Sequence, residues 1–358
     1  MTHVITFDFG GKFSPVSYQK LLTDIATAAN TSKDVVVLGC REEDCNPSEN
    51  YVQTLELQKY IHDLGMKFCV LFNHYTQYTN EHMPGIDVGY VDFMLLKTIY
   101  HAPAPLPRQG NRILFLMGKP NRLHRAPLLY KFYEHNQLDR LSWSLFVPKP
   151  IEDQVRNLIP TASNQQWQDF LALQRSPDGV VPLLSGDSIH ICNYFCYDAT
   201  VFADANMSLI SESMFEQHTL TSARATEKTY KTINNRHPFV IAGPVGTLAR
   251  LQSLGYKTFE NYLPCPDYDQ EIDVDKRLEQ IYKNTLALHE LVTTDPKILA
   301  DDVEHNYTVN QQRYQQELDC VSAMLTKYGY CGLPIDVLMM HDQIAPNALT
   351  EKFIQINK

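Results

Sequence analysis

Glycine and proline are scarce in this sequence, at 15 and 20 of 358 residues, and no repeat or block of like charge runs through it. These absences exclude collagen-like, low-complexity and coiled-coil chains. No apolar run approaches the length of about 18 residues that a transmembrane helix needs, and the first segment, MTHVITFDFGGKF, lacks the basic start of a signal peptide. The sequence therefore predicts a folded, cytoplasmic protein without a membrane-spanning segment.

Positive charge is also in deficit, because 31 lysines and arginines face 41 aspartates and glutamates, for a formal net charge of −10. This balance argues against a dedicated duplex-DNA binder, whose affinity rests on neutralising phosphates. Of the eight cysteines, the closely spaced pairs are Cys40 with Cys45 and Cys192 with Cys196. Neither pair has the CxxC spacing of a zinc site, so we expect reduced thiols and no bound metal.

Three common catalytic signatures are missing. The sequence contains no GxGxxG, no GxxxxGK[ST] and no GxSxG. The segment GPVGTL at 243–248 predicts only a glycine turn between a strand and a helix. The sequence therefore excludes three classes of protein: dinucleotide-binding dehydrogenases, P-loop proteins and α/β-hydrolases.

What is present is an alternation of short apolar strands with longer amphipathic segments. The strands are apolar nearly throughout, which is typical of a parallel sheet with helices on both faces. In the first part of the chain the pattern predicts strands at 3–9, 34–40, 67–73 and within 89–96, and helices near 15–30 and 52–64.

The segment HAPAPLPRQGN at 101–111, with four prolines, suits neither a helix nor a central strand, and we predict a hinged linker there. The alternation then restarts. It predicts strands at 112–118, 141–147 and 239–244, two short strands within 200–213, and helices near 123–136, 164–175, 226–235, 247–255, 271–293 and 308–327. The fold class expected is α/β with two Rossmann-like domains and a helical C-terminus. The boundaries are 1–105, 112–300 and 301–358, with the last helices packing back toward the first domain.

The segment GKPNRLHRAPLLYKF at 118–132 places several cations between a strand end and a helix start. Backbone N–H groups at a helix start favour an anion, and Arg122 and Arg125, three residues apart, would share one helical face and reach one phosphate. Lys119 belongs to the same predicted anion site. The alternative is a solvated basic edge without a ligand.

A second candidate region combines SLISESMFE at 208–216 with ATEKTYKTINNRHPFVIAGPVGTL at 225–248. A purely structural interpretation accounts for its helix start. Thr226 can cap the helix, Glu227 suits the positive end of the helix dipole, and Glu227 can pair with Lys231 one turn later.

This second region resembles the C-terminal motif of the α1,3-fucosyltransferase family, in which an acidic residue at a strand end precedes TEK, a helix and an apolar strand. Glu212 stands at the position of the first acid, and Thr226, Glu227 and Lys228 match TEK. Residues 238–243 match the strand that follows. Ser213 and Met214 depart from the family pattern, which has Asn-Ser there.

The resemblance, which covers about residues 112–260, implies a GT-B glycosyltransferase with a nucleotide sugar as co-substrate and neither a metal nor another cofactor. Such families bind the donor pyrophosphate through Arg and Lys and the donor sugar and ribose through Glu. We therefore expect Glu212 and Glu227 to be catalytic, with Glu212 pointing into the cleft. The residues expected to bind the donor and its phosphates are Lys119, Arg122, Arg125, Thr226, Lys228, Tyr230 and Gly243.

Metal-binding DxD strings occur only at Asp267 with Asp269 and at Asp273 with Asp275, and we interpret both as surface acids. An inverting transfer needs a general base, which two-domain enzymes of this kind supply from the first domain.

Asp8, at the end of the first strand, is the preferred candidate base. Gly10 and Gly11 beside it would admit a ligand close to the backbone, and His74 is a further residue of the acceptor side. Asp87, after the third strand, is a weaker alternative base.

Two other functions are compatible with the same residues. One is a nucleotide-sugar epimerase or hydrolase of similar shape, and the other is a non-catalytic nucleotide-binding or interaction protein. For a transferase the acceptor is a glycan, a protein side chain or a modified nucleic acid base.

Overall fold

The computed structural model describes residues 3–8, 35–41, 67–73, 87–100, 102–117, 120–144, 147, 149–174, 199–216 and 225–327, together with scattered residues within 19–30 and 56–65. For 3–8, 35–41, 67–73, 87–90 and 93 the description covers the backbone alone.

The chain divides into two compact units. Residues 1–96 and 313–358 form the first, and residues 97–312 form the second. The two divisions fall inside helices, α1 (Phe93–Tyr100) and α9 (Ala300–Lys327), and not in the proline-rich segment. Residues 300–312 of α9 therefore belong to the second unit, and residues 313–327 belong to the first.

The first unit contains a parallel four-stranded sheet in which spatial order follows chain order, β1-β2-β3-β4. Its strands are β1 (His3–Asp8), β2 (Val35–Arg41), β3 (Lys67–Asn73) and β4 (Asp87–Val91). These positions confirm the first three strands that the apolar runs predict. Strand β4 begins two residues before the predicted segment 89–96, and the last four residues of that segment belong to α1. In the register, Asp8 at the end of β1 lies beside Cys40 of β2.

A buried group of charges joins α9 to the end of β4 within the first unit. The Asp92 carboxylate caps α1 by accepting a hydrogen bond from the Leu95 N–H at 3.0 Å, and the Asp92 N–H donates to Glu317 at 3.2 Å. Arg313 lies 3.9 Å from Asp92 and 3.7 Å from Glu317. One guanidinium thus compensates the charge of two buried carboxylates, which would repel each other without it.

The second unit contains another parallel four-stranded sheet, in the order β6-β5-β7-β8. Its strands are β5 (Arg112–Leu116), β6 (Leu141–Ser144), β7 (Ala205–Ser211) and β8 (Phe239–Ala242). Every residue of β7 and β8 is buried, as expected for strands covered on both faces. The described residues therefore confirm an α/β protein built on parallel sheets.

The prediction of two short strands within 200–213 is wrong, because residues Ala199–Ala203 form a helix, α5, and only β7 follows. The Asp204 N–H donates to the Thr200 carbonyl at 3.0 Å, which is a helical turn. The Ala203 carbonyl accepts hydrogen bonds from the preceding proline-rich segment. The prediction failed because the local apolar pattern carries no information about this long-range contact.

Helices cover the second sheet. They are α2 (Arg125–Glu134), α3 (Glu152–Asn157), α4 (Asn164–Gln174), α6 (Glu227–Asn234), α7 (Thr247–Ser253) and α8 (Val274–Thr294). Helix α8 packs on β7, β8 and α2, and a T-shaped contact at 4.9 Å joins Phe132 to Tyr282. Helix α6 packs on β7. Because the β5–β6 and β7–β8 crossovers run in opposite directions, right-handed connections place α2 and α6 on opposite faces.

The proline-rich segment is fastened to the second unit. The N–H groups of Gln109 and Gly110 donate to the Ala203 carbonyl at 2.8 and 3.1 Å, and Arg108 donates to the Asn206 carbonyl at 3.1 Å. A Cβ on Gly110 would lie 1.7 Å from the Asp204 oxygen, so only glycine fits there. The predicted hinged linker is wrong for these residues, because close backbone contacts hold them.

Within the described part of the chain, no helix combines the length and the apolarity that a membrane span requires.

Candidate functional site

The strand order of the second sheet locates its candidate site. Strand β5 connects to β6 on one side and lies beside β7 on the other, so the order reverses between β5 and β7. In open parallel sheets a crevice forms outside the carboxyl ends of two strands at such a switch point. The turn before α2 and the start of α6 follow these two strand ends, and both carry predicted site residues.

Glu212, the residue after β7, caps helix α6 and does not point into a cleft. Its Oε1 accepts hydrogen bonds from the Thr226 N–H at 3.0 Å and the Thr229 hydroxyl at 2.5 Å, and its Oε2 accepts from the Thr226 hydroxyl at 2.5 Å. The carboxylate is 1% exposed. The predicted cleft orientation is therefore wrong, because a buried carboxylate is stabilised by the donors and positive dipole of a helix start.

Thr226 is confirmed as the N-cap residue of α6, since its hydroxyl accepts a hydrogen bond from the Lys228 N–H at 3.4 Å. The same hydroxyl donates a hydrogen bond to the Glu212 carboxylate, so it takes part both in the helix cap and in the bonding of the buried acid. Thr226 is 4% exposed. Its described hydrogen bonds are those of a structural cap, and its predicted contact with a donor stays a prediction.

Arg125 is directed into the interior. Its Nε donates to the Ser211 hydroxyl at 2.9 Å, and its Nη2 donates to the Glu212 carbonyl at 3.1 Å. The arginine is 3% exposed. A phosphate cannot reach a guanidinium in this position without displacing those bonds, so the prediction that Arg125 binds the donor is wrong.

His124 completes this interior network. Its Nε2 lies 2.9 Å from the Ser211 hydroxyl, and its ring stacks on Phe215 with 4.7 Å between centroids. Burial, followed by the nearby charge of Arg125, lowers the pKa of His124 well below its ordinary value. The imidazole is therefore neutral, and its tautomer decides whether Nε2 donates to the Ser211 hydroxyl or accepts from it.

Arg122 lies in the turn that precedes α2. The Arg125 N–H donates to the Arg122 carbonyl at 3.2 Å, and the helix begins only at Arg125. The prediction that both arginines share one helical face is wrong for this reason. Arg122 is half-buried and remains beside the switch point. Lys119 lies outside the described residues.

Lys228 and Glu227 form an ion pair at the start of α6, with 2.5 Å between Nζ and Oε1. Their side chains are 16% and 11% exposed. Burial alone would raise the pKa of Glu227, but Lys228 and then Lys231 outweigh it and hold the pKa below its ordinary value. Glu227 is thus ionised, and it forms an ion pair with Lys228, the adjacent residue.

A small cavity of about 30 Å³ lies beside this pair, between α6 and the sheet. Residues from β5, β7 and α6 line it, among them Leu116, Ser211, Lys228 and Lys231. This volume accommodates a water molecule or two, so a larger ligand would bind outside it.

Two further predicted donor residues have structural roles. Tyr230 is 0% exposed, so the prediction that it contacts a donor is wrong. A Cβ on Gly243 would lie 3.0 Å from the Thr247 hydroxyl, 3.3 Å from the Ile241 Cγ2 and 3.5 Å from the Glu212 Cγ. Packing between β8 and the α7 start accounts for the glycine without any ligand.

Arg277 of α8 was not anticipated from the sequence. It is 1% exposed, its guanidinium carbon lies 3.9 Å from the centre of the Phe215 ring, and its Nη2 donates to the Phe215 carbonyl at 2.6 Å. Since His124 also stacks on this ring, the two groups occupy opposite faces of Phe215. Arg277 follows the DxD acids in an amphipathic helix, and no local signal distinguishes it from a surface cation.

Asp269 is buried, whereas the sequence predicts a surface acid. Its Oδ2 accepts a hydrogen bond from the Leu248 N–H at 3.1 Å and so caps α7. Burial raises the pKa of Asp269 to about 6, against the opposing effects of the backbone N–H groups and of Arg277. The prediction failed because a three-residue 3₁₀ turn, 268–270, directs this acid inward.

The predicted acceptor-side residues belong to the first part of the chain. Asp8 ends β1 as predicted, at the carboxyl edge of the first sheet, and only its backbone is described. Gly10, Gly11 and His74 lie outside the described residues. Asp87 begins β4 and therefore lies at the amino edge, so it does not follow a strand end as predicted.

Over the described residues, no group of three or more His, Cys, Asp or Glu side chains has the geometry to hold a metal ion. Of the predicted site residues, the structure pairs Glu227 with Lys228 at the start of α6, which follows β7, and places Arg122 in the turn that follows β5. Comparisons with protein-family models, with curated proteins and with solved structures found no match.

Proposed function

We propose that the second unit binds a phosphate group of a nucleotide sugar outside the ends of β5 and β7, and that the protein is a glycosyltransferase. In this proposal the two parallel sheets belong to two Rossmann-like domains of the GT-B type. The resemblance of residues 208–248 to the fucosyltransferase motif supports the reaction class. The proposed location of the binding site rests on a single structural observation, the switch point between β5 and β7.

The charge distribution at the switch point supports an anionic ligand. Arg122 precedes α2 after β5, and Lys228 begins α6 after β7, so the two cations follow adjacent strands. Lys228 retains exposure even though it is paired with Glu227. The α6 N-terminus does not bind the phosphate in this proposal, because the buried Glu212 carboxylate lies there and accepts hydrogen bonds from the Thr226 N–H and the Thr229 hydroxyl.

The proposed reaction assigns a distinct role to each residue. When the bond between the sugar and the phosphate breaks, negative charge grows on the leaving nucleoside diphosphate, and Arg122 and Lys228 stabilise it. Glu227 orients Lys228 and contacts the donor through the oxygen that does not bind Nζ. Asp8 remains the predicted general base.

Titration calorimetry with a panel of nucleoside diphosphates tests the binding step. We expect at least one diphosphate to bind, and Lys228→Gln to weaken its binding about tenfold or more, as for a lost charged hydrogen bond. Arg122→Gln should have an effect of similar size. Lys283→Gln is the matched control, since Lys283 is 59% exposed on α8 and pairs with Glu279 at 3.5 Å, within the same helix.

Failure of every diphosphate to bind, or unchanged affinity in both Lys228→Gln and Arg122→Gln, would reject the site. Thermal unfolding of each variant shows whether a loss of binding reflects a loss of fold.

Donor turnover with and without an added acceptor tests the reaction. A transferase consumes nucleotide sugar in an acceptor-dependent manner, whereas an epimerase or hydrolase does not need the acceptor. Glu227→Gln should lower turnover at least about tenfold, which equals about 1.4 kcal/mol in the barrier. Binding of a diphosphate without any turnover would favour the non-catalytic alternative.

A further inference from the structure

A wide groove lies in the second unit between the segment after α7 and the first half of α9. Its volume is about 640 Å³. Its lining is polar and aromatic, and includes Lys257, Glu260, Tyr262, Asp302 and His305. The groove follows α7 in the chain, whereas the switch point lies at the ends of β5 and β7. None of its residues belongs to the proposed phosphate site.

The walls of the groove are held in place by hydrogen bonds. Asn306 of α9 accepts from the Lys257 N–H at 2.7 Å and donates to the Lys257 carbonyl at 2.9 Å, and Asn310 accepts from the Tyr256 hydroxyl at 2.9 Å. His305 donates to the Gly255 carbonyl at 2.8 Å. An exposed segment with no strand or long helix is thus fixed to α9 before any ligand binds.

A second set of contacts fixes the floor. Gln252 donates to Glu260 at 2.5 Å and to Thr258 at 2.9 Å, and Thr258 also donates to Glu260. Phe259 has a left-handed backbone, with φ of 64°, and its buried ring packs against Phe239 at 5.0 Å. A non-glycine residue in this conformation carries strain that the surrounding contacts must offset, and such strain is concentrated at functional sites.

The groups that remain available suit a neutral, polyhydroxylated ligand. Tyr262 is 38% exposed and offers an aromatic face, while its hydroxyl lies 3.5 Å from Asp302. Because the His305 Nε2 donates to a carbonyl, its Nδ1 is an acceptor in the neutral ring. A sugar ring has an apolar C–H face that packs on an aromatic side chain and hydroxyl groups at its edge that need donors and acceptors.

The charges of the groove disfavour a polyanion. Lys257 supplies one positive charge, whereas Glu260 and Asp302 supply two negative charges. A nucleotide or nucleic acid strand would therefore meet net repulsion here. From this combination we infer that the groove is a binding site for a neutral oligosaccharide, separate from the phosphate site and independent of the proposed transferase activity.

Saturation-transfer difference NMR of the full chain with maltotriose, chitotriose and N-acetyllactosamine tests this site. We expect at least one of the three to bind, and Tyr262→Ala to weaken its binding about tenfold, which is typical of an aromatic anchor. Tyr262→Phe keeps the ring and should retain binding within about threefold. Asp302→Asn should have an intermediate effect.

Tyr100→Ala is the matched control, because Tyr100 is 46% exposed and lies outside the groove. It should leave oligosaccharide binding unchanged. The inference is overturned if none of the three oligosaccharides binds the parent protein, or if Tyr262→Ala binds as well as Tyr100→Ala. Diphosphate binding, measured in the same variants, should not change, so failure of this site is distinguishable from failure of the phosphate site.

Discussion

The two parallel sheets differ in the order of their strands. In the first sheet, the spatial order of the described strands follows chain order, so each crossover moves in the same direction and no switch point arises among them. In the second sheet, β6 and β7 lie on opposite sides of β5, and the order reverses at β5. Connectivity, rather than strand composition, thus determines where a switch point arises.

The two units also differ in how a buried charge is compensated. In the first unit, Arg313 lies between two carboxylates. In the second unit, the buried acids Glu212 and Asp269 cap helices through backbone N–H groups. Glu212 thus links the end of β7 to the start of α6, and Asp269 links the 268–270 turn to the start of α7.

The largest expected loss of stability comes from substituting a glycine of the second unit, and a glycine of the first unit provides the comparison. Gly110→Ala forces a Cβ to within 1.7 Å of the Asp204 oxygen, and we expect a loss of at least about 3 kcal/mol of unfolding free energy. Gly65→Ala, in the first unit, meets nothing within 4 Å and has only its positive φ of 68° to accommodate. It should cost about 1 kcal/mol. Urea unfolding measures both, and equal costs would contradict the packing of the proline-rich segment.

The pH dependence of stability tests the buried Asp269. Its pKa of about 6 in the folded chain exceeds the value of about 3.9 expected in the unfolded chain. Between these two pH values the folded chain holds a proton that the unfolded chain has released. The contribution of Asp269 to the free energy of unfolding therefore falls as pH rises from about 4 to 6, and it does not fall further above about pH 6. The shift of about 2 units corresponds to about 3 kcal/mol.

Asp269→Asn should remove this contribution while it keeps an oxygen for the Leu248 N–H. Urea unfolding at several pH values between 4 and 7 measures the difference between variant and parent. Asp267→Asn changes an exposed acid two residues earlier and should retain the slope of the parent. A slope that is identical in Asp269→Asn and the parent would refute the assignment.

A smaller loss of stability is expected on substitution of Glu212, the other buried acid of the second unit that caps a helix. Glu212→Gln replaces a charged acceptor of three hydrogen bonds by an amide, and we expect a loss of about 2 kcal/mol. Glu216→Gln, in the same connection but exposed, should change stability by less than about 0.5 kcal/mol. If Glu212→Gln melted like the parent, its capping role would be refuted.

The smallest effect is expected for the ion pair between α2 and α8. Lys131 Nζ lies 2.8 Å from Glu279, and their side chains are 25% and 38% exposed. The hydrogen bond from Lys131 lowers the pKa of Glu279, opposed by burial. Because partly exposed pairs are screened by solvent, Lys131→Gln should cost no more than about 1 kcal/mol. A much larger loss in urea unfolding would show that charge, and not apolar burial, holds this face of the sheet.

The secondary structure was largely predictable because it depends on local pattern. Apolar runs predicted all strands of the first sheet and the positions of β5, β6 and β8, and Thr226 was correctly identified as a helix cap. The predicted helix near 247–255 is present as α7, and Gly255, with φ of 92°, follows it in the left-handed conformation that favours glycine. These features follow from residue spacing and backbone propensity within a few residues.

The site was less predictable because side-chain direction depends on distant parts of the chain. The sequence correctly assigned Arg125 to a helix start, but the partners at Ser211 and Glu212 that direct it inward come from β7. Asp269 and Arg277 looked like surface charges because the 3₁₀ turn and the packing of α8 that bury them leave no local signal.

The sequence by itself therefore determined which residues form strands, helices and caps, since backbone hydrogen bonding and apolar periodicity act over short distances. The tertiary structure alone decided the order of the strands, and with it the switch point between β5 and β7. It also decided which charges are buried and partnered and which remain available at the surface. The physical reason is that desolvation and the pairing of buried charges depend on groups separated by tens of residues, from Ser211 to Arg125 and from Phe215 to Arg277.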